Sequence, residues 1–511
     1  MWVTYGALAL FFCAVIWILQ KSFVADRNFS DYAVGGRSFG PWYQTMSFLN
    51  TWYPGATFTA FAGLAAGTGV FSFYLLTYSL LTVVLMYPMA TRVWTWGKRF
   101  DLATQSEFFS LRYDSHHIKA LTAVIGIVSA FPWLVLGMQA LGAMFHDLSL
   151  GYLSFTASVI LAVAVMVVRQ FWTIRMGMRG VVISDMFQGI VAYGGGSLLI
   201  AGLLIWLVEA RGIHLSSLST GVLSIPGFGS DKGSLYLFAL IFSGAIGGWC
   251  WPSIFVRLFT ADGVRSVKKA AVLALPWSII FSSGLFFTCM LASQLPDVAA
   301  HPDNVWFTLS RDAGGLGALA LAGVCVLAAS MGNIDGGIQA IGAQVAGGFA
   351  GRNSRFTHTQ LLVIAKLGMG VVTALAAWAA CSTLPALFSL AVLSYQGIIQ
   401  LAVPLMLGIF WRRGNRQGAI AGLFVGFVVT GALEWIYHGS VPWAHGLTSG
   451  VIGLAANFAI YATCAYLFPH SAAEQARLDE LFDSTSSSAR ACPGSSVPSS
   501  AVAMQATQSG G

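Results

Sequence analysis

The sequence predicts an all-α polytopic membrane protein of thirteen transmembrane helices, with its N-terminus outside and its C-terminus inside. Three observations carry this prediction. The 511 residues are 57% apolar and 9% charged, with a mean hydropathy of +0.74, whereas soluble domains carry about 25% charged residues. Apolar runs long enough to cross a bilayer, roughly 17–25 residues, recur along the chain. When those runs are threaded alternately, all but four of the 26 lysines and arginines fall on one side, which the positive-inside rule assigns to the cytoplasm. The four are Arg211, Lys232 and Arg311 in the opposite loops and Lys366 within a run.

The predicted spans lie near residues 2–20, 43–66, 72–91, 118–145, 152–169, 180–208, 234–256, 270–294, 314–349, 357–380, 385–410, 417–438 and 446–468. The first has no Lys/Arg-rich leader and no small-residue cleavage site, so it reads as a retained helix. The second, SFLNTWYPGATFTAFAGLAAGTG, places Pro54-Gly55 at membrane depth among Asn50, Thr51, Tyr53, Thr57 and Thr59. Proline removes a backbone donor and clashes with the preceding turn. A helix broken in lipid is tolerated only beside protein or a water-filled cavity. The fourth carries Phe131-Pro132-Trp133 and Gln139. The sixth begins RGVVISDMFQG, where Asp185 suits a helix start facing Arg179, or a cation pathway.

The seventh span, IFSGAIGGWCWPSIFVRLF, is interrupted at Gly244, Gly247, Gly248 and Pro252, with Trp249 and Trp251 beside the break. Interruptions at matching places in two halves point to an inverted-repeat transporter with its site at the midplane. The ninth run is too long for one straight crossing, and its sequence VCVLAASMGNIDGGIQAIGAQ holds the carboxylate Asp335. An acid at that depth must be paired, protonated or ion-bound. Gly332, Asp335, Gly336 and Gln339 share one helix face, and Asn333 points about 100° away from Gly332. The alternative for Asp335 is a solvated or loop-paired acid near the cytoplasmic end. Lys366 in the tenth run either snorkels or pairs with Asp335. The eleventh carries Tyr395, Gln396 and Gln400; aromatic and amide groups facing a cavity suit a small polar organic solute, and the alternative is helix packing. Residues 469–511 are rich in Ser and Ala and read as a disordered cytoplasmic tail, begun by a short helix through Arg477–Leu481.

These patterns exclude several classes. The basic residues form no stripe, so the net charge of +7 meets anionic membrane lipid rather than nucleic acid. Of the seven cysteines, none forms a CxxC pair. Walker loops, His/Cys metal clusters and nucleophile–base pairs are absent from the sequence, so neither a cofactor nor an enzyme is expected. Nothing in the sequence sets an oligomeric state.

Five stretches together resemble the sodium:solute symporter family, which includes sodium/glucose, proline and pantothenate carriers. They are DYAVGGRSFGPW, ATQSEFFSLRYDS, GMRGVVISDMFQGIV, VRLFTADGVRSVKKA and LAASMGNIDGGIQ. The resemblance covers about residues 1–465 and implies a five-plus-five inverted repeat over about 43–208 and 234–410. Within the family, ATFTAFAGLAAGTGVFSF, LLTVVLMYPMATRVW, GIVSAFPWLVLGMQALG and WCWPS are most similar to bacterial monocarboxylate permeases of the lactate and pyruvate type. The family's common sodium site would fall on backbone oxygens of Asn50, Tyr53 and Ala329. Its two hydroxyl ligands would fall on Gly332 and Asn333, which have none; Asn333 offers an amide oxygen instead.

The resemblance therefore implies a secondary importer of a small organic acid in a bacterial inner membrane, coupled to Na⁺ or, through Asp335, to H⁺. Uncoupled transport, an amino-acid or vitamin substrate, and a transporter-like solute sensor acting through a partner are the alternatives. The substrate-binding candidates are Asn50, Thr51, Tyr53, Thr57, Trp133, Gln139, Trp249, Trp251, Tyr395, Gln396 and Gln400. The ion-coupling candidates are Asn50, Tyr53, Ala329, Gly332, Asn333, Asp335 and Asp185.

Overall fold

Pro54 ends the first helix of the core. Its ring nitrogen has no hydrogen to offer the carbonyl of Asn50, so the last helical bond is Tyr53 N–H to Leu49 O at 2.8 Å, and the chain leaves the helix at Tyr53 (φ −100, ψ 91). In the computed structural model, which describes residues 1–24, 28–228, 230, 232–349, 356–382 and 394–490, this break lies at the centre of a helical bundle.

The helices run in the order α1 Trp2–Lys21, α2 Phe29–Val34, α3 Pro41–Trp52, α4 Ala60–Thr68, α5 Tyr74–Arg99, α6 Gln105–Tyr113, α7 His116–Leu148, α8 Phe155–Gly189, α9 Gly196–Glu209 and α10 Ser234–Gly247. They continue with α11 Pro252–Phe255, α12 Arg257–Thr260, α13 Val264–Ala292, α14 Pro296–Ala300, α15 Val305–Phe349 and α16 His358–Cys381. The last four are α17 Ser394–Phe410, α18 Arg416–Tyr437, α19 Ser449–Leu467 and α20 Ala472–Arg490. A short antiparallel pair, Ser440–Val441 with Leu447–Thr448, joins α18 to α19.

Among the described residues nine helical runs are long and apolar enough to cross a membrane, or ten when the bent pair Ser234–Cys250 and Pro252–Thr260 counts as one. The chain is an integral, multi-pass membrane protein. Three of the nine runs have 45, 47 and 55 residues. At about 1.5 Å per residue each is far longer than a hydrocarbon core of about 30 Å. Their breaks fall at glycines in the left-handed region, Gly69 (φ 63) after Ala60–Thr68, Gly177 (φ 58) within Phe155–Gly189 and Gly315 (φ 58) within Val305–Phe349, a conformation that side-chain-bearing residues avoid. Of the predicted eleventh span, residues 385–393 lie outside the described set, as do 491–511 of the tail.

The central helix is α15, which packs against α1, α3, α7, α8 and α16. The short helix expected through Arg477–Leu481 at the start of the tail is longer, running from Ala472 to Arg490, because Leu478, Leu481 and Phe482 on one face are buried. One prediction is corrected here. Arg112, Arg169 and Arg257, threaded above as loop charges, are each 1% exposed. Arg112 can be buried because it donates to the carbonyls of Gly408, Trp411, Arg412 and Gly414 at 2.8–3.2 Å; buried cations need such partners.

Candidate functional site

Both predicted interruptions are present. After α3 the chain runs extended through Pro54 (ψ 168) into a single 3₁₀ turn, Gly55–Thr57, before α4 begins. α10 gives way to a 3₁₀ turn at Gly248–Cys250, Trp251 is extended (ψ 123), and Pro252 opens α11 at the position where a missing N–H costs nothing. The two halves of that span are bent by 62°.

Between the two breaks lies a cavity of about 110 Å³. The first broken helix contributes Thr51, Trp52, Pro54 and Phe61; the second contributes Trp251, Ser253 and Ile254; α5 adds Tyr78, α7 adds Ala130, Trp133 and Leu134, α15 adds Asn333 and Gly337, and α17 adds Tyr395. The aromatic wall is continuous: Trp133 meets Trp251 edge-on at 6.1 Å, and Trp251 meets Tyr395 at 5.9 Å. Trp133 Nε1 donates to Ser394 Oγ at 3.2 Å, and Asn333 Nδ2 donates to the carbonyl of Thr51 at 2.8 Å. The lining contains no Asp, Glu, Lys, Arg or His, so the site offers apolar faces and neutral polar groups.

The cavity therefore collects Thr51, Trp133, Trp251, Tyr395 and Asn333 from the candidates. The others lie outside its lining. Trp249 is fully buried, stacks on Phe48 and donates to Thr82 O at 3.0 Å. Gln139 donates to Ala380 O at 3.4 Å. Gln400 donates to Thr430 Oγ1 and Gly450 O, and Gln396 Oε1 accepts from Gly450 N–H. These amides tie α17 to α18 and α19, the packing alternative. Thr57 is buried with no hydrogen-bond partner for its hydroxyl.

Beside the cavity, at the junction of α3, α8 and α15, lie two carboxylates, each matched by an arginine. Asp185 Oδ2 is 3.2 Å from Arg257 Nη2 and accepts from Ser47 Oγ at 2.7 Å, while Oδ1 accepts from Asn50 Nδ2 at 3.0 Å. Asn50 Nδ2 also donates to Gln188 Oε1 at 3.0 Å. Arg257 Nη2 donates to Thr51 Oγ1 at 2.7 Å. Asp335 Oδ2 is 2.6 Å from Arg169 Nη2, a charge contact without hydrogen-bond alignment, and Oδ1 accepts from Gln170 Nε2 at 2.7 Å. Tyr193 donates to Tyr53 O at 2.8 Å. Its helix carries a π-helical insertion, Ile190–Gly195, a feature often found at functional sites.

Two sequence expectations change, and one alternative falls. Asp185 lies inside α8, fully buried, and pairs with Arg257 rather than Arg179. Asp335 is fully buried and paired, as an acid at that depth must be, and not solvated at a helix end. Lys366 does not meet it: its ammonium sits 5.3 Å over the ring of Tyr32. Sequence reasoning missed Arg169, Arg257, Gln170, Gln188 and Tyr193. A usable signal existed for Arg257, which follows the second break by a single turn. The broken first helix touches α15 closely. A Cβ on Gly55 would lie 1.9 Å from Ser330 Oγ and 2.9 Å from Val326 O.

A profile of the sodium:solute symporter family matches residues 32–426. The chain belongs to that family. Its members named among the relatives are carriers, and the protein is a symporter-family transporter rather than an enzyme. The chain is similar to a sodium/proline symporter of Staphylococcus saprophyticus, with 24% identity over 85% of this chain and 86% of the relative. It is also similar to a monocarboxylate transport permease of Rhizobium johnstonii, with 21% identity over 91% of this chain and 98% of the relative. A Na⁺-coupled sialic acid symporter in a substrate-bound, outward-open state shares its fold, with a TM-score of 0.75, 17% identity, and coverage of 92% of this chain and 99% of that one.

Proposed function

We propose that the chain is a secondary active importer of a small monocarboxylate, coupled to Na⁺ or H⁺ and working by alternating access in a bacterial inner membrane. The observation that carries this reading is the cavity held between the two breaks, walled by Trp133, Trp251 and Tyr395 and floored by Thr51 and Asn333. Its aromatic faces suit the carbon chain of a short acid. A break in a helix offers backbone N–H groups to a carboxylate. The monocarboxylate permease among the relatives supports this choice; the proline symporters make an amino acid the competing substrate.

In this reading the breaks at Gly69 and Gly177 divide two of the long helical runs into separate crossings. Together with the N-out, C-in charge alternation they give thirteen spans, the two repeats covering about 43–208 and 234–410. The ion-coupling candidates then sit where α3, α8 and α15 meet, within reach of the substrate cavity through Thr51 and Asn333.

The substrate is tested by uptake of radiolabelled lactate into proteoliposomes with unlabelled competitors. Pyruvate and propionate are expected to inhibit and proline to leave uptake unchanged; inhibition by proline but by no carboxylate would assign the cavity to amino acids. The role of Asp335 is tested by Asp335→Asn: gradient-driven accumulation is expected to fall while exchange persists, and unchanged accumulation would make Asp335 purely structural.

A further inference from the structure

Two glycines of the stretch GNIDGG hollow one face of α15. A Cβ on Gly332 would lie 1.8 Å from Asn50 Nδ2 and 2.8 Å from Asp185 Oδ1, and a Cβ on Gly336, one turn on, would lie 2.7 Å from Arg257 Nη2. The hollow admits an amide and a guanidinium. The oxygens of Asp185 and the carbonyls of Thr51 and Tyr53 beside it already have protein donors, while the carbonyl of Asn50, which Pro54 cannot serve, has none among the described residues. Asp185 takes Asn50 on one oxygen and Ser47 with Arg257 on the other. The carbonyl of Thr51 takes Asn333, and that of Tyr53 takes Tyr193.

A hard cation needs several oxygens turned toward it with no hydrogen in between. Here the oxygens of Asp185, Thr51 and Tyr53 face N–H and O–H groups, leaving the Asn50 carbonyl as one bare oxygen, and a guanidinium, which does not deprotonate in proteins, already supplies the positive charge. A hydroxyl on residue 332 and the present position of the Asn50 amide exclude each other, because the amide nitrogen occupies the space that the Cβ would need.

We propose that this chain carries its own cation at the junction of the first broken helix, α8 and α15: the Arg257 guanidinium, with the Asn50 amide, fills the place that a coupling Na⁺ would need and closes it to Na⁺. The proposal rests on the reading above only in taking the chain as an alternating-access carrier, and it narrows the coupling ion left open there. It also gives the two glycines a purpose. Gly332 and Gly336 are the space in which a fixed positive group replaces a mobile one.

The test needs no substrate. Purified full-length protein is titrated with radiolabelled Na⁺, and its unfolding midpoint is measured in NaCl and in N-methylglucamine chloride at equal ionic strength. The wild type is expected to bind no Na⁺ saturably and to unfold at the same temperature in both salts. Arg257→Gln, which leaves Asp185 without its partner, is expected to unfold at a lower temperature in N-methylglucamine and to regain part of the loss in Na⁺. If that variant does not fold, the wild-type titration alone decides. Arg257→Gln with Asn50→Ala and Gly332→Ser, which removes the guanidinium and the amide and installs a hydroxyl, is expected to gain saturable Na⁺ binding. Saturable Na⁺ binding by the wild type, abolished in Asp185→Asn, would overturn the proposal. Failure of lactate uptake would remove the proposed substrate and leave this result standing.

Discussion

Arg169 Nη2 lies 2.6 Å from Asp335 Oδ2, with both side chains at most 1% exposed. The contact joins α8 to the central helix α15 and lets an acid exist at membrane depth. Arg169 is held in turn by Thr173 at 2.9 Å and Ser184 at 3.0 Å. Removing one member of such a pair strands the other charge, at a cost of about 3–5 kcal/mol, whereas replacing both by apolar groups is often neutral. Arg169→Met and Asp335→Leu are each expected to lower the unfolding temperature in detergent sharply, and the double variant to recover most of the loss. Single variants as stable as the wild type would mean that the pair does not hold α8 to α15.

The aromatic wall gives a prediction for the substrate. Trp251 touches both Trp133 and Tyr395, so Trp251→Ala should enlarge the cavity and loosen solute contact. A loss of about 1.4 kcal/mol is tenfold in affinity, and the KM for uptake is expected to rise by roughly that factor or more, with Trp251→Phe milder. Gln400→Ala, outside the lining and tied to α18 and α19, should leave KM unchanged and lower thermal stability instead.

The break in the first helix depends on a bare backbone. With Ser330 Oγ and Val326 O so close to Gly55, Gly55→Ala forces the chain away from α15. Overpacking of this kind costs about 1–3 kcal/mol and moves Thr51 and Pro54 at the cavity wall. Uptake by Gly55→Ala should fall at equal folded protein, and Ser330→Gly in the same chain should restore part of it. Full uptake by the single variant would contradict the close contact.

The helix Ala472–Arg490 is held by an apolar anchor and a charged rim. Phe482 is buried against Trp96, with the guanidinium groups of Arg92, Arg112 and Arg412 at 5.2–5.5 Å from its ring. Arg99–Glu480 and Arg412 with Asp479 and Asp483 form the exposed rim. Pairs of this sort contribute at most about 1 kcal/mol each and are screened by salt. Phe482→Ala is therefore expected to release the helix to limited proteolysis, while high salt acts weakly on the wild type; the reverse pattern would make the rim the anchor.

The same helix gives a pH dependence. Burial pushes the Glu474 carboxyl up, but the Arg477 hydrogen bonds and charge outweigh it, with His470 and Arg112 adding to them, and hold it below the ordinary glutamate value. Arg477 also donates to the carbonyls of Leu111 and Arg112. A depressed carboxyl contributes stability above its unfolded value and loses it as pH falls through the folded one. Protease resistance of the helix should thus hold at neutral pH and decline below the usual carboxylate range. Glu474→Gln should flatten that part of the decline.

The broken helices were legible in the sequence because Pro54-Gly55 and the Gly247-Gly248 and Pro252 pair change the backbone locally, and the backbone rules are local. Trp133, Trp251 and Tyr395 were legible as aromatic groups near those breaks. The arginine partners were not. Arg169 and Arg257 fall at the ends of apolar runs, where threading counts them as loop charges, and only the packing of α8 and α12 against α3 and α15 turns them inward. Gln396 and Gln400 misled for the opposite reason: their residue type suits a cavity, but their face of α17 meets α18 and α19. The terminal helix was legible as a short helix through Arg477–Leu481, but its full extent was not, because the Ser-rich composition after it masks the stripe Leu478, Leu481 and Phe482.

The most direct measurement is accumulation of radiolabelled lactate by proteoliposomes holding the purified full-length protein, under a proton gradient or a Na⁺ gradient imposed separately at fixed membrane potential. With Arg257 and Asn50 filling the cation junction, the expected result is accumulation above equilibrium with the proton gradient and none from the Na⁺ gradient alone. Accumulation driven by Na⁺ alone, or no accumulation of any carboxylate under either gradient, would contradict it.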